Sequence, residues 1–198
     1  MKKKLSNTLK KLRNTIAFYL TTNRLFISYV VLALIGTILL RNFTIGNTFS
    51  FKPFIADLAA ILLIGAFGYI KKPEKRYKYY FICLIIFTIA EVVNSVYYTF
   101  YTSFASFGEI ASLSQVKTVT GSLYEKFKFY DFIYIIFPII FYYSHKKLKS
   151  SYYYKVIRKI EVKKKMFGIT LLMSLVCLTY TFATATKTDY SRLAKQWN

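Results

Sequence analysis

Acidic side chains are scarce in this sequence: eight Asp and Glu stand against 29 Lys and Arg, with one histidine and two cysteines in 198 residues. Those few groups form no cluster of His, Cys and acids at metal-ligand spacing, and neither a phosphate loop nor a Gly-x-Ser-x-Gly elbow occurs. Cys83 and Cys177 fall in separate apolar runs without a Cys-x-x-Cys, so they read as buried bystander thiols rather than a disulfide or a metal site. His145 abuts Lys146 and Lys147 where an apolar run ends, and reads as an interfacial residue.

What is abundant is apolar and cationic. The 55% hydrophobic and 20% aromatic content exceeds that of a soluble domain, and the net charge is +21. Such a charge fits nucleic acid, a membrane surface, or the anchoring of membrane helices. Position separates the three. The cations lie in blocks between hydrophobic runs, where they set membrane orientation, rather than in an aromatic-interleaved groove or a recognition helix, which argues against nucleic acid.

In order, MKKKLSNTLKKLRN is a basic start followed by an apolar run too long for a signal-peptide core, and so a retained anchor. Residues 1–24 form a cytoplasmic, interfacial lead-in that includes the short patch Ile16 to Tyr19. Helix one is expected over Leu25 to Leu40. Arg41 and a polar stretch follow, and Pro53 suits the opening of helix two, Phe54 to Ile70. Helix three, Tyr79 to Phe100, reaches about 33 Å at about 1.5 Å per residue, enough for the bilayer core. Helix four is short, Phe132 to Tyr143 with Pro138 inside it. Without it as a span, one outward loop would carry 12 cations from Lys117 to Lys165, against the positive-inside tendency. Tyr and Phe at both its ends supply an aromatic belt, and flanking lysines can snorkel. Helix five, Met166 to Ala185, is uncharged.

The fold expected is therefore all-α, a polytopic membrane protein with five transmembrane helices over residues 25–185. With this topology the inner segments hold 21 of the 29 cations and the outer ones 8, which puts the N-terminus inside and the C-terminus outside. Residues 186–198 then begin an extracellular linker.

Helix three carries the polar stripe of the chain: Glu91, Asn94, Ser95, Tyr98 and Thr102 follow three- and four-residue spacings and share one face. Glu91 lies about 18 Å from the inner end, toward the outer leaflet. An acid at that depth faces other helices or a wet cavity. Asp57 and Asp131 are placed at comparable depth. Two readings follow, interhelical hydrogen bonding or an outward-open groove for lipid headgroups or a polymer, the groove candidates being Glu91, Asn94, Tyr98 and Asp131. Tyr- and Lys-rich segments elsewhere read as interface anchors. Ala183-Thr184-Ala185 closes helix five with small residues two apart, a spacing that signal peptidases accept, and small residues ending a helix are the plain alternative.

The run Asn94-Ser-Val-Tyr-Tyr-Thr-Phe-Tyr-Thr-Ser-Phe104, then Leu113-Ser-Gln-Val116, then Phe127-Lys-Phe-Tyr-Asp-Phe-Ile-Tyr134, resembles the N-terminal membrane domain of the lipoteichoic acid synthase family. The tail Ala185-Thr-Lys-Thr-Asp189-Tyr-Ser-Arg-Leu193 is similar to that family's passage from its fifth helix into an extracellular linker. Where many members carry Arg and Asp, this chain has Thr99 and Ser103. The resemblance implies a multi-pass protein of a Gram-positive cell membrane, serving the transfer of glycerol phosphate from phosphatidylglycerol onto a growing teichoic acid. It further implies a metal of the manganese type and a threonine nucleophile in an extracellular catalytic domain that these residues do not include. The chain is thus expected to be a fragment or a truncated gene product, with no cofactor and no catalytic residue of its own. Its implied partners are membrane lipids, phosphatidylglycerol and teichoic acid polymer, and cell-envelope proteins. In the family, cleavage after a site such as Ala185 releases the catalytic domain. Two other readings stay open: a small stand-alone membrane component such as the substrate-binding subunit of a transporter, or a non-catalytic envelope scaffold.

Overall fold

The computed structural model describes residues 23–46, 50–104, 128–146 and 163–184, and every regular element among them is helical. Helix α1 spans Arg24–Ile45, α2 Phe51–Ala66, α3 Pro73–Tyr101, α4 Ile136–Lys146 and α5 Lys163–Thr184. A 3-10 turn, Phe67–Tyr69, closes α2, and a seven-residue 3-10 helix, Phe129–Ile135, runs directly into α4. Among the described residues, four segments are long and apolar enough to cross a membrane: Arg24–Ile45, Phe51–Tyr69, Pro73–Thr99 and Lys165–Thr184.

The fifth segment reaches a similar length by another route. Seven residues in 3-10 geometry at about 2.0 Å and eleven in α geometry at about 1.5 Å add up to about 30 Å, the thickness of a hydrocarbon core. Pro138 lacks the N–H that would reach back to Tyr134 O in the preceding 3-10 segment, and that carbonyl takes the Thr88 hydroxyl at 3.4 Å.

Helices consecutive in the chain run antiparallel, so one end of the bundle gathers Arg24, Tyr69, Pro73 and Lys163, and the other gathers Ile45, Phe51, Tyr101, Lys128 and Thr184. We call these the Arg24 end and the Thr184 end. Helix α1 is central, packing against α2, α3 and α4, while α3 holds α4 and its 3-10 lead, and α5 lies against α2.

Every helix differs from the sequence reading by some residues at its ends, and the two largest differences are at the end of α1 and the start of α3. Helix α1 continues through Arg41 to Ile45 because the polar groups there are used: the Arg41 guanidinium pairs with Asp57 and donates to Pro53 O at 3.1 Å, and Thr44 Oγ1 donates to Leu40 O at 2.6 Å. Helix α3 begins at Pro73, a residue suited to a first helical position, so part of the expected loop is helix.

Tyrosines of the Tyr- and Lys-rich start of α3, a kind of segment expected to anchor at an interface, join Tyr29 in packing against α2. Tyr29 and Tyr80 are buried and stacked with ring centroids 5.1 Å apart. Their hydroxyls donate to Ile61 O and Gly65 O, each at 3.2 Å, and Tyr79 donates to Ile64 O at 2.6 Å. These phenols add donors to carbonyls in the last two turns of α2. Gly68 permits the approach, since a Cβ there would come within 2.4 Å of the Tyr80 ring and hydroxyl. His145, expected at the interface, is 1% exposed with its ring 4.7 Å from Phe141. Cys83 and Cys177 are free, on α3 and α5.

Candidate functional site

At the Thr184 end, α3 meets the 3-10 helix that leads into α4. Ser95 Oγ donates to Asp131 Oδ1 at 2.6 Å, and both residues are buried. Asp131 stands at the third position of its helix, where its Oδ2 accepts the Lys128 amide at 2.8 Å while its own amide donates to Lys128 O at 2.9 Å. An acid there satisfies a free helix N-terminal donor and meets the positive end of the helix dipole. The carboxylate is therefore sealed from solvent with a donor on each oxygen.

The same contacts place the residues around it. Lys128 extends over the Tyr130 ring, 5.4 Å from the centroid, and Tyr130 stacks on Phe43 of α1 at 5.2 Å. Between these groups lies a cavity of about 170 Å³. Phe43 and Thr44 of α1 form one wall, Ser95, Tyr98 and Thr99 of α3 another, and Lys128 and Tyr130 the third. Thr99 Oγ1 donates back to Ser95 O at 3.2 Å.

Of the four expected groove residues, Tyr98 lines this cavity and Asp131 lies under it through Ser95. Glu91 and Asn94 do not line it. Asn94 Nδ2 donates to Ala90 O of its own helix at 2.8 Å. Glu91 sits a turn deeper than Ser95, 4% exposed, with its carboxyl against Gly36 of α1. A Cβ at Gly36 would fall 2.2 Å from Glu91 Oε1, so the glycine is the notch that admits the acid. Glu91 Oε1 has no hydrogen-bond partner among the described residues. Asp57, the third acid placed at this depth, pairs with Arg41 across α1 and α2.

Phe43, Thr44, Lys128 and Tyr130 were not singled out from the sequence as site residues, and Thr99 was noted only as a departure from the resembled family's pattern. The signal that could have found Lys128 is Asp131, since an acid three residues after a helix boundary is a capping signal. Of the expected peptidase site, Ala183 is exposed in the last turn of α5 and Ala185 lies outside the described residues. The end of that turn is held: Lys52 Nζ donates to Thr184 O at 3.0 Å, and Phe51 meets Tyr180 edge-on at 6.1 Å. Among the described residues no three His, Cys, Asp or Glu side chains come together as a metal donor set.

A family model, the lipoteichoic acid synthase N-terminal domain, matches residues 1–198. No curated protein and no solved structure matches the chain.

Proposed function

The chain belongs to the lipoteichoic acid synthase N-terminal domain family, and from that premise we propose that it is the membrane domain of a glycerol-phosphate transferase acting on the outer face of a Gram-positive cell membrane. In this reading all five helices span, the Arg24 end is cytoplasmic and the Thr184 end is extracellular. The donor is phosphatidylglycerol and the acceptor a growing teichoic acid. The nucleophile and a divalent metal of the manganese type are assigned to an extracellular catalytic domain.

Within the membrane domain, the task is to hold a headgroup or polymer end near the outer surface. The observation that supports this is the placement of a polar cavity at the end opposite Arg24, Lys71, Lys72, Lys75, Arg76 and Lys78. Positive residues favour the cytoplasmic side, so the cavity opens outward. A transporter's substrate-binding subunit favours an enclosed apolar pocket, whereas all but one of the residues lining this one carry a hydroxyl or an ammonium.

Deleting the encoding gene in its host and measuring membrane-bound glycerol-phosphate polymer tests the reading. Loss of polymer, restored by re-expression, is the expected result. An unchanged amount overturns it.

A further inference from the structure

We propose that the cavity between α1, α3 and the Phe129–Ile135 helix is a phosphate-ester site, in which the Lys128 ammonium takes the phosphate oxygens and the hydroxyls of Thr44, Tyr98 and Thr99 take a short polyol. The proposal rests on the functional reading above only for the natural source of the ester, a lipid headgroup or a polymer end. The site itself rests on geometry.

Charge is the first argument. Among the described residues at this end, the other cations are committed: Arg41 to Asp57 and Pro53 O, and Lys52 to Thr184 O. The Lys128 ammonium has the Tyr130 ring and hydroxyl beside it, with Asp131 as a more distant charge. The Tyr130 hydroxyl holds the Lys128 pKa above the usual lysine value, so the group stays charged at neutral pH. The nearest acid does not compete for it closely, since each Asp131 oxygen already accepts a hydrogen bond, from Ser95 and from the Lys128 amide. A bound cation would meet the ammonium and find the carboxylate sealed.

Positioning is the second. Lysine at a surface is ordinarily a mobile point charge. Here its backbone is fixed from both sides by Asp131, and Asp131 is fixed by Ser95 from another helix. Ser95 and Asp131 are thus positioning residues for the cation, and they explain why two buried polar groups are spent at a helix contact.

Size is the third. The cavity of about 170 Å³ is several times what a single water needs, room for a phosphate and a three-carbon polyol. Phe43 and Tyr130 supply flat apolar walls for the carbon skeleton.

The test uses the purified 198-residue chain in phosphatidylcholine nanodiscs, doped with phosphatidylglycerol or with diacylglycerol, and native mass spectrometry to count retained lipid. Phosphatidylglycerol is expected to be retained and diacylglycerol not. Lys128→Gln should weaken retention about tenfold, the loss of a charge-assisted hydrogen bond, and Lys128→Arg should restore it. Tyr98→Phe, which leaves the charge framework in place, should weaken it about threefold. Displacement by soluble glycerol 3-phosphate assigns the site to the ester alone, as at a polymer end; resistance to it assigns the site to the lipid. Retention by Lys128→Gln equal to the unmodified chain overturns the site, whatever cells then synthesise. Lost binding with polymer synthesis intact in cells carrying Lys128→Gln keeps the site and overturns the role proposed above.

Discussion

Ser95 and Asp131 lie 36 positions apart in the chain and meet at 2.6 Å, hydroxyl to carboxylate, inside the contact between α3 and the lead of α4. The seam continues with Thr88 Oγ1 donating to Tyr134 O at 3.4 Å and Tyr77 stacked on Phe141 at 5.7 Å. A hydroxyl and an acid buried together hold two helices in one register, and removing either leaves the other without its partner. Ser95→Ala is expected to cost about 1 kcal/mol, since hydrogen bonds between membrane helices are worth less than an unsatisfied group in a dry core. Asp131→Ala should cost more, because it also removes the acceptor of the Lys128 amide. Thermal unfolding in detergent measures both. Equal melting of Ser95→Ala and the unmodified chain would remove the seam as a stabilising contact.

Gly36 and Glu91 make a second test of packing. A methyl group at Gly36 overlaps the Glu91 carboxyl on its near side, with three carboxyl atoms within 2.7 Å. Gly36→Ala should therefore destabilise by about 1–3 kcal/mol, the range for overfilling a packed site. Glu91→Ala in the same chain should return part of that loss, because neighbouring substitutions couple. If Gly36→Ala melts with the unmodified chain, the acid does not sit in this notch.

Topology is tested with a reporter that is active only outside the cell. Fusions after Gly121 and after Asn198 are expected to be active, and a fusion after Ser150 inactive. The Ser150 fusion isolates the short fifth span: activity there means the segment Phe129–Lys146 does not cross. An inactive but well-expressed fusion after Asn198 removes the five-span arrangement as a whole.

Processing near the end of α5 has a structural precondition. Residues to be cut by a peptidase must be drawn out of a helix, yet α5 is helical through Thr184 and Lys52 holds the Thr184 carbonyl. Cleavage after Ala185 is expected in cells, and Lys52→Gln should raise the cleaved fraction by freeing the helix end, with Lys52→Arg close to the unmodified level. Mass spectrometry of the terminal peptides reads this out. Detection in cells of intact peptides spanning Ala185 and Thr186 alone, in every variant, counts against the site.

Much of the fold was legible because it depends on local properties. An apolar run of the right length is helical and membrane-bound wherever its neighbours lie, since lipid offers its backbone no other partner. The runs after Arg24, Ser50, Lys78 and Lys165 could therefore be read directly, and the acid at Asp131 marked a helix start. Boundaries were less legible. Whether α1 stops at Leu40 or continues through Arg41 depends on an acid 16 residues away, and whether a tyrosine sits at an interface or in the core depends on a glycine of another helix.

The sequence by itself determined that the chain is all-helical and membrane-spanning in character, and it set the uneven spread of cations along it, because hydropathy and charge are sums over neighbouring residues. It also placed Glu91, Ser95 and Tyr98 on one helix face, a matter of periodicity alone. Only the tertiary structure decided what each polar group does. Asp57, Glu91 and Asp131 are chemically alike and read from the sequence at comparable depth, yet one pairs with Arg41, one rests in the Gly36 notch, and one accepts from Ser95 and caps a helix. Which partner each acid meets is fixed by how the helices are ordered and rotated against one another, and that order is set by close packing between residues far apart in the chain.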